Sequence, residues 1–307
     1  MESISVIICT FNPRKEVFIR CLNALKEATE LQAVKEVIIV DNNSSPALSE
    51  TDYIREYLAN GFRIVVEEKQ GLTPARLRGI KESSGELLVF VDDDNFIQPD
   101  FLLKGFEIAK ANPFIGSYSG QVRLMFETPP PEWTYKYHGM LVQREFESDI
   151  WSNLPNMPVT MPCGAGLFVR TAVAAHYRSL HEQGKRDIQL DRTGNSLFSG
   201  GDNDLAACAC DIGLGVGLFH ELKLDHFIPA SRLEKNYLLK LAKGIAASSV
   251  VFRSFRNEMP EPMTTKRLLA NRLRMMTMTQ LERAFFRAHA AGEEEGIRIL
   301  RKQYQRN

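Results

Sequence analysis

The chain has 307 residues, 44% of them hydrophobic and 25% charged, with 38 basic against 38 acidic side chains. That composition supports a globular core, and a net charge of zero argues against a nucleic-acid binder overall. Five cysteines without CxxC spacing read as reduced thiols. The start, Met1-Glu2-Ser3-Ile4, lacks the regions of a signal peptide, and no stretch reaches the roughly 18 apolar residues of a membrane span. A cytoplasmic protein is expected.

In chain order, residues 4–10 are a buried strand by composition, broken by Phe11-Asn12-Pro13. A helix is expected over 14–30, because Val17, Cys21, Leu22 and Leu25 fall at helical spacing. A second strand (34–40) ends at Asp41, and a short helix (53–60) closes at Gly61. A third strand (62–66) precedes a helix over 71–84. The fourth strand, Leu87-Leu88-Val89-Phe90-Val91, stops at Asp92, Asp93 and Asp94. Four strands alternating with three helices predict an α/β fold with right-handed crossovers and a mostly parallel sheet. All four strand ends then meet on one rim. Three adjacent carboxylates at such a rim repel one another, and a hard divalent cation relieves them.

Further on, 99–110 reads as a helix, and 115–126 as one or two strands around Gly120. The stretch 128–133 is too proline-rich for a central strand, and 146–162 has little periodicity. After Cys163-Gly164-Ala165-Gly166 come a short strand and a helix to about 180, then a polar loop over 181–201. Asp202 starts a helix, and 213–219 and 222–227 read as two short strands. From Arg232 the chain turns to amphipathic helices broken at 257–262. This tail holds 16 basic and 7 acidic residues, a balance of +9 that leaves −9 for the rest. A packed helical extension is expected, with contact at an anionic inner membrane face as the alternative.

The ordered motifs Val6-Ile7-Ile8-Cys9-Thr10-Phe11-Asn12, Val40-Asp41-Asn42-Asn43-Ser44, Gly71-Leu72-Thr73-Pro74-Ala75-Arg76, Phe90-Val91-Asp92-Asp93-Asp94, Gly164-Ala165-Gly166 and Gly201-Asp202-Asn203-Asp204-Leu205 resemble an inverting glycosyltransferase of family 2. The resemblance runs to about Arg232. It implies a GT-A-type nucleotide-binding fold with a mostly parallel central sheet flanked by helices, plus a C-terminal helical extension. The implied domains are 1–231, with a nucleotide half (1–125) and an acceptor half (126–231), and the tail 232–307.

By the same resemblance, Thr10, Asn12, Asp41, Arg76, Asp92, Asp93, Gly164, Ala165, Gly166 and Arg232 address a nucleotide-sugar donor, a UDP-sugar being favoured. Asp94, with Asp92 and His226, addresses a divalent metal, Mn²⁺ or Mg²⁺. Asp202 is the expected catalytic base, although Gly201 stands where the family usually has Glu. Asp204 is its possible substitute, and it joins Trp133 and Trp151 on the side of a glycan or lipid-linked acceptor. For Asp41 an Asx turn is the plain alternative, for Asp202 a helix cap, and for His226 a satisfied structural histidine. Two other functions compete: a nucleotide-sugar-binding scaffold without catalysis, and a phosphatase or phosphotransferase with an aspartate nucleophile.

Overall fold

The computed structural model describes residues 3–29, 33–188, 190–191, 197–258 and 264–304. It divides into two compact units, residues 1–185 with 201–230, and residues 186–200 with 231–307. The expected helix end at Glu30, part of the 181–201 loop and most of the 257–262 break lie outside the described residues.

The first unit is built on one nine-stranded sheet. Its first half alternates as expected: β1 (Ile4–Thr10), α1 (Lys15–Ala28), β2 (Val34–Asp41), α2 (Arg55–Ala59), β3 (Phe62–Val66), α3 (Leu72–Glu82) and β4 (Leu87–Phe90). These four strands are parallel in the order β3-β2-β1-β4. All of β4 is buried, as its unbroken apolar run requires when both faces are covered. A short β5 (Asn95–Ile97) follows the acids and α4 (Phe101–Ala111) follows it.

The second half adds β6 (Ile115–Phe126), β7 (Ile150–Ser152), β8 (Leu167–Arg170), α5 (Thr171–Glu182), α6 (Gly201–Asp211) and β9 (Gly215–Ile228). β8 runs antiparallel between β4 and β6, and β6 runs parallel to β9. β6 is a single strand, and the two strands expected over 213–227 are one. The pair breaks register between Ser119 and Gln121, where β9 carries extra residues around His220. Gln121 Nε2 donates to the His220 carbonyl at 2.8 Å, so the bulge keeps its polar groups paired. Behind the sheet, Tyr118 stacks on Phe168 at 4.9 Å, and Phe168 in turn meets Phe101 at 5.3 Å.

The second unit is helical: α7 (Lys235–Ser254), α8 (Thr265–Met276) and α9 (Gln280–Tyr304). α7 and α9 pack along one another. Leu190, Val250, Val251 and Leu300 form its core, and Ile188 packs against them. Two apolar residues of the segment 186–200 are therefore anchored in this unit's core, although the sequence reads as a polar loop.

Candidate functional site

Parallel pairing puts Thr10 and Asp41 side by side at the ends of β1 and β2. Thr10 Oγ1 donates to Asp93 Oδ2 at 2.5 Å, which ties this corner to the acids after β4. The loops behind the two strands are stitched together. The Asn12 N–H donates to Ser44 Oγ, and Asn12 Oδ1 accepts the Ser45 N–H at 2.8 Å.

Asp41 is almost wholly buried, and its two oxygens accept the N–H groups of Ser44 and Leu48, each at 2.9 Å. These contacts fix the loop, as the plain alternative for this residue anticipated. Asn42, passed over in the sequence, is the neighbouring clamp. Its Nδ2 donates to the carbonyls of Glu67 and Lys69, and its Oδ1 accepts the Gly71 N–H at 2.7 Å. Asn42 thereby holds the loop that launches α3, the helix that carries Arg76.

Past Val91 the chain turns through Asp92–Asp94, closed by the Asn95 N–H donating to the Asp92 carbonyl at 3.0 Å. β5 then runs antiparallel to β9 with Asn95 opposite His226. That register, invisible in sequence, sets His226 Nε2 3.5 Å from Asp94 Oδ1. His226 Nδ1 lies 3.2 Å from the Leu141 carbonyl, which can only accept. Nδ1 therefore donates its proton there, and Nε2 is the nitrogen turned toward the carboxylate.

Asp94 and His226 would hold a divalent ion together, and a histidine oriented by a backbone carbonyl at its other nitrogen is the usual supported ligand. Among the described residues no group of three or more His, Cys, Asp or Glu forms a closed cage. An ion here would take its remaining ligands from water or substrate oxygens, as Mg²⁺ commonly does. The donor set fits a hard divalent ion shared with a ligand.

The Asp92 carboxyl is raised above its usual range, first by burial and then by the charge of Asp94. Asp202 adds to that effect, while Arg76 and His226 oppose it. Five charged or titratable groups therefore act on one another at this rim. Beneath them the Cys21 thiol faces the Asp92 carbonyl at 3.5 Å. Burial, followed by Asp93, Asp94 and Asp92, pushes that thiol well above its ordinary value, so it stays neutral.

The Gly164 turn meets the first turn of α6. Asp202 Oδ2 accepts the Gly164 N–H at 2.6 Å, and Oδ1 accepts the Asn203 N–H at 2.9 Å. Asn203 Nδ2 donates to the Pro162 carbonyl, which fixes the turn. A Cβ at position 164 would lie 3.1 Å from both Arg76 Nη2 and Asp202 Oδ2, so the bare backbone sits between these two side chains. Gly166 has φ +64°, and a side chain there would meet Phe101 at 2.6 Å. Ala165 and Asp204 are buried.

Thr10, Asp93, Asp92, Asp94, Arg76, Asp202, Gly164 and His226 are thus linked on one rim by direct contacts or electrostatic influence. Trp133 lies on a 3-10 helix, Glu132–Leu141, whose last carbonyl is the partner of His226. Trp151 is not among these linked residues. It stands on β7 opposite Gly217, near the start of β9 and on the other side of the bulge from His226. There it packs edge-on against Phe114 at 5.0 Å. Arg232 belongs to the second unit, in the short helix Ala230–Leu233.

Two aromatics escaped the sequence reading. Phe11 is 49% exposed between Thr10 and Asn12. Tyr53 has its hydroxyl raised by burial first and then by Asp41 and Asp93, which places it near both. An apolar residue stranded in a strand-end loop was the available signal for Phe11.

With this geometry in view, the model of the family described as "Glycosyl transferase family 2" matches residues 5–174, over half of the chain. Glycosyltransferase AglE of Haloferax volcanii is 34% identical over 103 residues, 33% of this chain and 34% of that protein. The poly(ribitol-phosphate) beta-glucosyltransferase of Bacillus spizizenii is 30% identical over 113 residues, 36% of this chain and 17% of that protein. The match thus spans about a third or less of these relatives' length. Among solved structures, S. aureus TarS 1-349 superposes with a TM-score of 0.51 at 16% identity, covering 99% of this chain and 91% of that one. A mycobacterial protein gives 0.52 at 15% identity, covering 85% and 76%. These two likenesses are of fold, and they agree with a GT-A architecture.

Proposed function

This chain belongs to glycosyl transferase family 2, and from that premise we propose an inverting, metal-dependent enzyme using a UDP-sugar donor. The sugar moves to a hydroxyl of a glycan or lipid-linked acceptor. The observation that carries the reading is the separation of two kinds of carboxylate. Asp94 lies 3.5 Å from His226 Nε2, whereas Asp202 is fixed by the amides of Gly164 and Asn203.

On this reading Thr10, Asn12 and Asp41 frame the nucleoside, with the exposed face of Phe11 available for the base to stack on. Arg76 lends its guanidinium to the diphosphate, and the glycine turn 164–166 lets backbone approach the transferred sugar. Asp94 and His226, with Asp92 nearby, would hold the divalent ion, which when bound neutralises the diphosphate and assists its departure as a Lewis acid. Asp202 accepts the proton of the acceptor hydroxyl as its oxygen bonds to the anomeric carbon. The bond from that carbon to the diphosphate oxygen breaks with its electron pair on the leaving group, so the configuration inverts. The anchoring of Asp202 by two backbone amides substitutes for orientation by a neighbouring Glu where Gly201 stands. Asp204 and Trp133 stay on the acceptor side of the proposal.

The experiment is a screen of nucleotide sugars with Mn²⁺ or Mg²⁺, read by thermal shift and by release of nucleoside diphosphate. A metal-dependent shift and UDP release with one UDP-sugar are expected. Release from a GDP- or dTDP-sugar alone would discard the uridine assignment, and release unaffected by chelation would discard the metal.

A further inference from the structure

Helix α8 differs from the two helices of its unit. Nearly every described residue along it is exposed, and Asn271 and Met275 alone mark an inward side. The outward side is apolar: Leu269 is 60% exposed, Leu273 59% and Met276 76%, with Leu268 at 49% beside them. Leu269, Leu273 and Met276 stand at i, i+4 and i+7, so they form one stripe. A contiguous apolar stripe left in water on an ordered helix marks a surface that something covers.

The charges say what. From Thr264 to Leu281 the sequence carries four basic residues and no acidic one. Of these, Lys266, Arg272 and Arg274 are exposed. An isologous contact with a second copy would bring two such cationic helices face to face with no acid on either to relieve them. A neutral apolar partner would leave the cations unused. A bilayer with anionic headgroups satisfies both features, because leucines enter the acyl boundary while long basic side chains reach up to phosphate. A helix of 12 residues is about 18 Å long, which suits lying in the interface and is too short to span it. Among the described residues no helix is long and apolar enough to cross a membrane.

We propose that α8 is an interfacial helix that seats the second unit on an anionic lipid surface through Leu268, Leu269, Leu273 and Met276, with Lys266 and Arg272 on the headgroups. This is independent of the donor site.

The full-length chain is sedimented with vesicles of phosphatidylglycerol and phosphatidylcholine, and with vesicles of phosphatidylcholine alone. Binding to the anionic vesicles is expected, with much weaker binding to the neutral ones. Each cation removed in Lys266→Gln and Arg272→Gln should weaken binding about fivefold. Leu269→Ser with Leu273→Ser should abolish it while the melting temperature holds, since these side chains lie at the surface. Failure to sediment with anionic vesicles overturns the proposal, as does equal binding by all variants. A dimer in lipid-free light scattering that the serine variant converts to monomer, without vesicle binding by the wild type, assigns the face to a second copy and equally overturns it.

Discussion

The two ends of the central sheet treat carboxylates in opposite ways. At the end where the parallel strands begin, Glu36 is saturated with donors. Ser5 Oγ reaches it at 2.6 Å, the Ser84 N–H and Oγ at 2.7 and 2.8 Å, and Arg63 Nη2 at 2.9 Å. Burial alone would raise this carboxyl, yet the hydrogen bonds from Ser5, Ser84 and Arg63 bring it down to about 2. At the end where the strands stop, Asp92 is raised by burial and by Asp94, with Asp202 adding to the crowding. One end is a closed polar knot that supports the fold. The other keeps negative charge together at a cost in stability, which the proposed cation and diphosphate would offset.

The contrast can be broken most forcefully at Asp94. Asp94→Asn should lower turnover at least about 100-fold and remove the rise in melting temperature that Mn²⁺ gives the wild type. A variant that keeps both would dissolve the metal assignment.

Next comes the same acid-to-amide change at both ends. Glu36→Gln should cost about 2–3 kcal/mol at neutral pH, measured by urea unfolding. Because the folded carboxyl titrates at about 2, below its usual value of 4.5, this stability is complete above about pH 5 and fades as pH falls toward 2. The glutamine variant should lack that acid-side loss. Asp92→Asn, by relieving crowded charge, should instead raise the melting temperature of the metal-free protein. Equal signs at the two positions would erase the distinction.

The smallest effect is at the clamp between them. Asn42→Ala leaves the carbonyls of Glu67 and Lys69 and the Gly71 N–H without their partner, a loss of roughly 1–3 kcal/mol. Donor affinity should fall more than turnover, because the loop positions Arg76.

The parallel half of the sheet was legible because each strand is an unbroken apolar run ending at a polar residue, and the rim site follows from that. β5 and β7 were missed, since three residues give no periodicity to read. The split expected in β9 arose from the polar pair His220-Glu221, which lies in a bulge where Asp149 accepts the His220 N–H at 2.8 Å. Residues 186–200 were placed with the first domain, but Ile188 and Leu190 are drawn into the core of the helical unit. For His226 the sequence left two readings equal, and the register explains why. Nδ1 is held by the Leu141 carbonyl and Nε2 is turned toward Asp94, so each reading describes one nitrogen. Trp151 was expected in an irregular segment, and only strand pairing reveals that it sits on β7 beside the first residues of β9.

The central claim is that grip and bond-making fall to different carboxylates. Asp202→Asn tests it most directly, with nucleotide binding in Mn²⁺ followed by calorimetry and sugar transfer followed in parallel. The account predicts UDP affinity within about threefold of wild type and turnover down on the order of 10²–10⁴-fold, the usual span of a lost general base. Full turnover in that variant would contradict it.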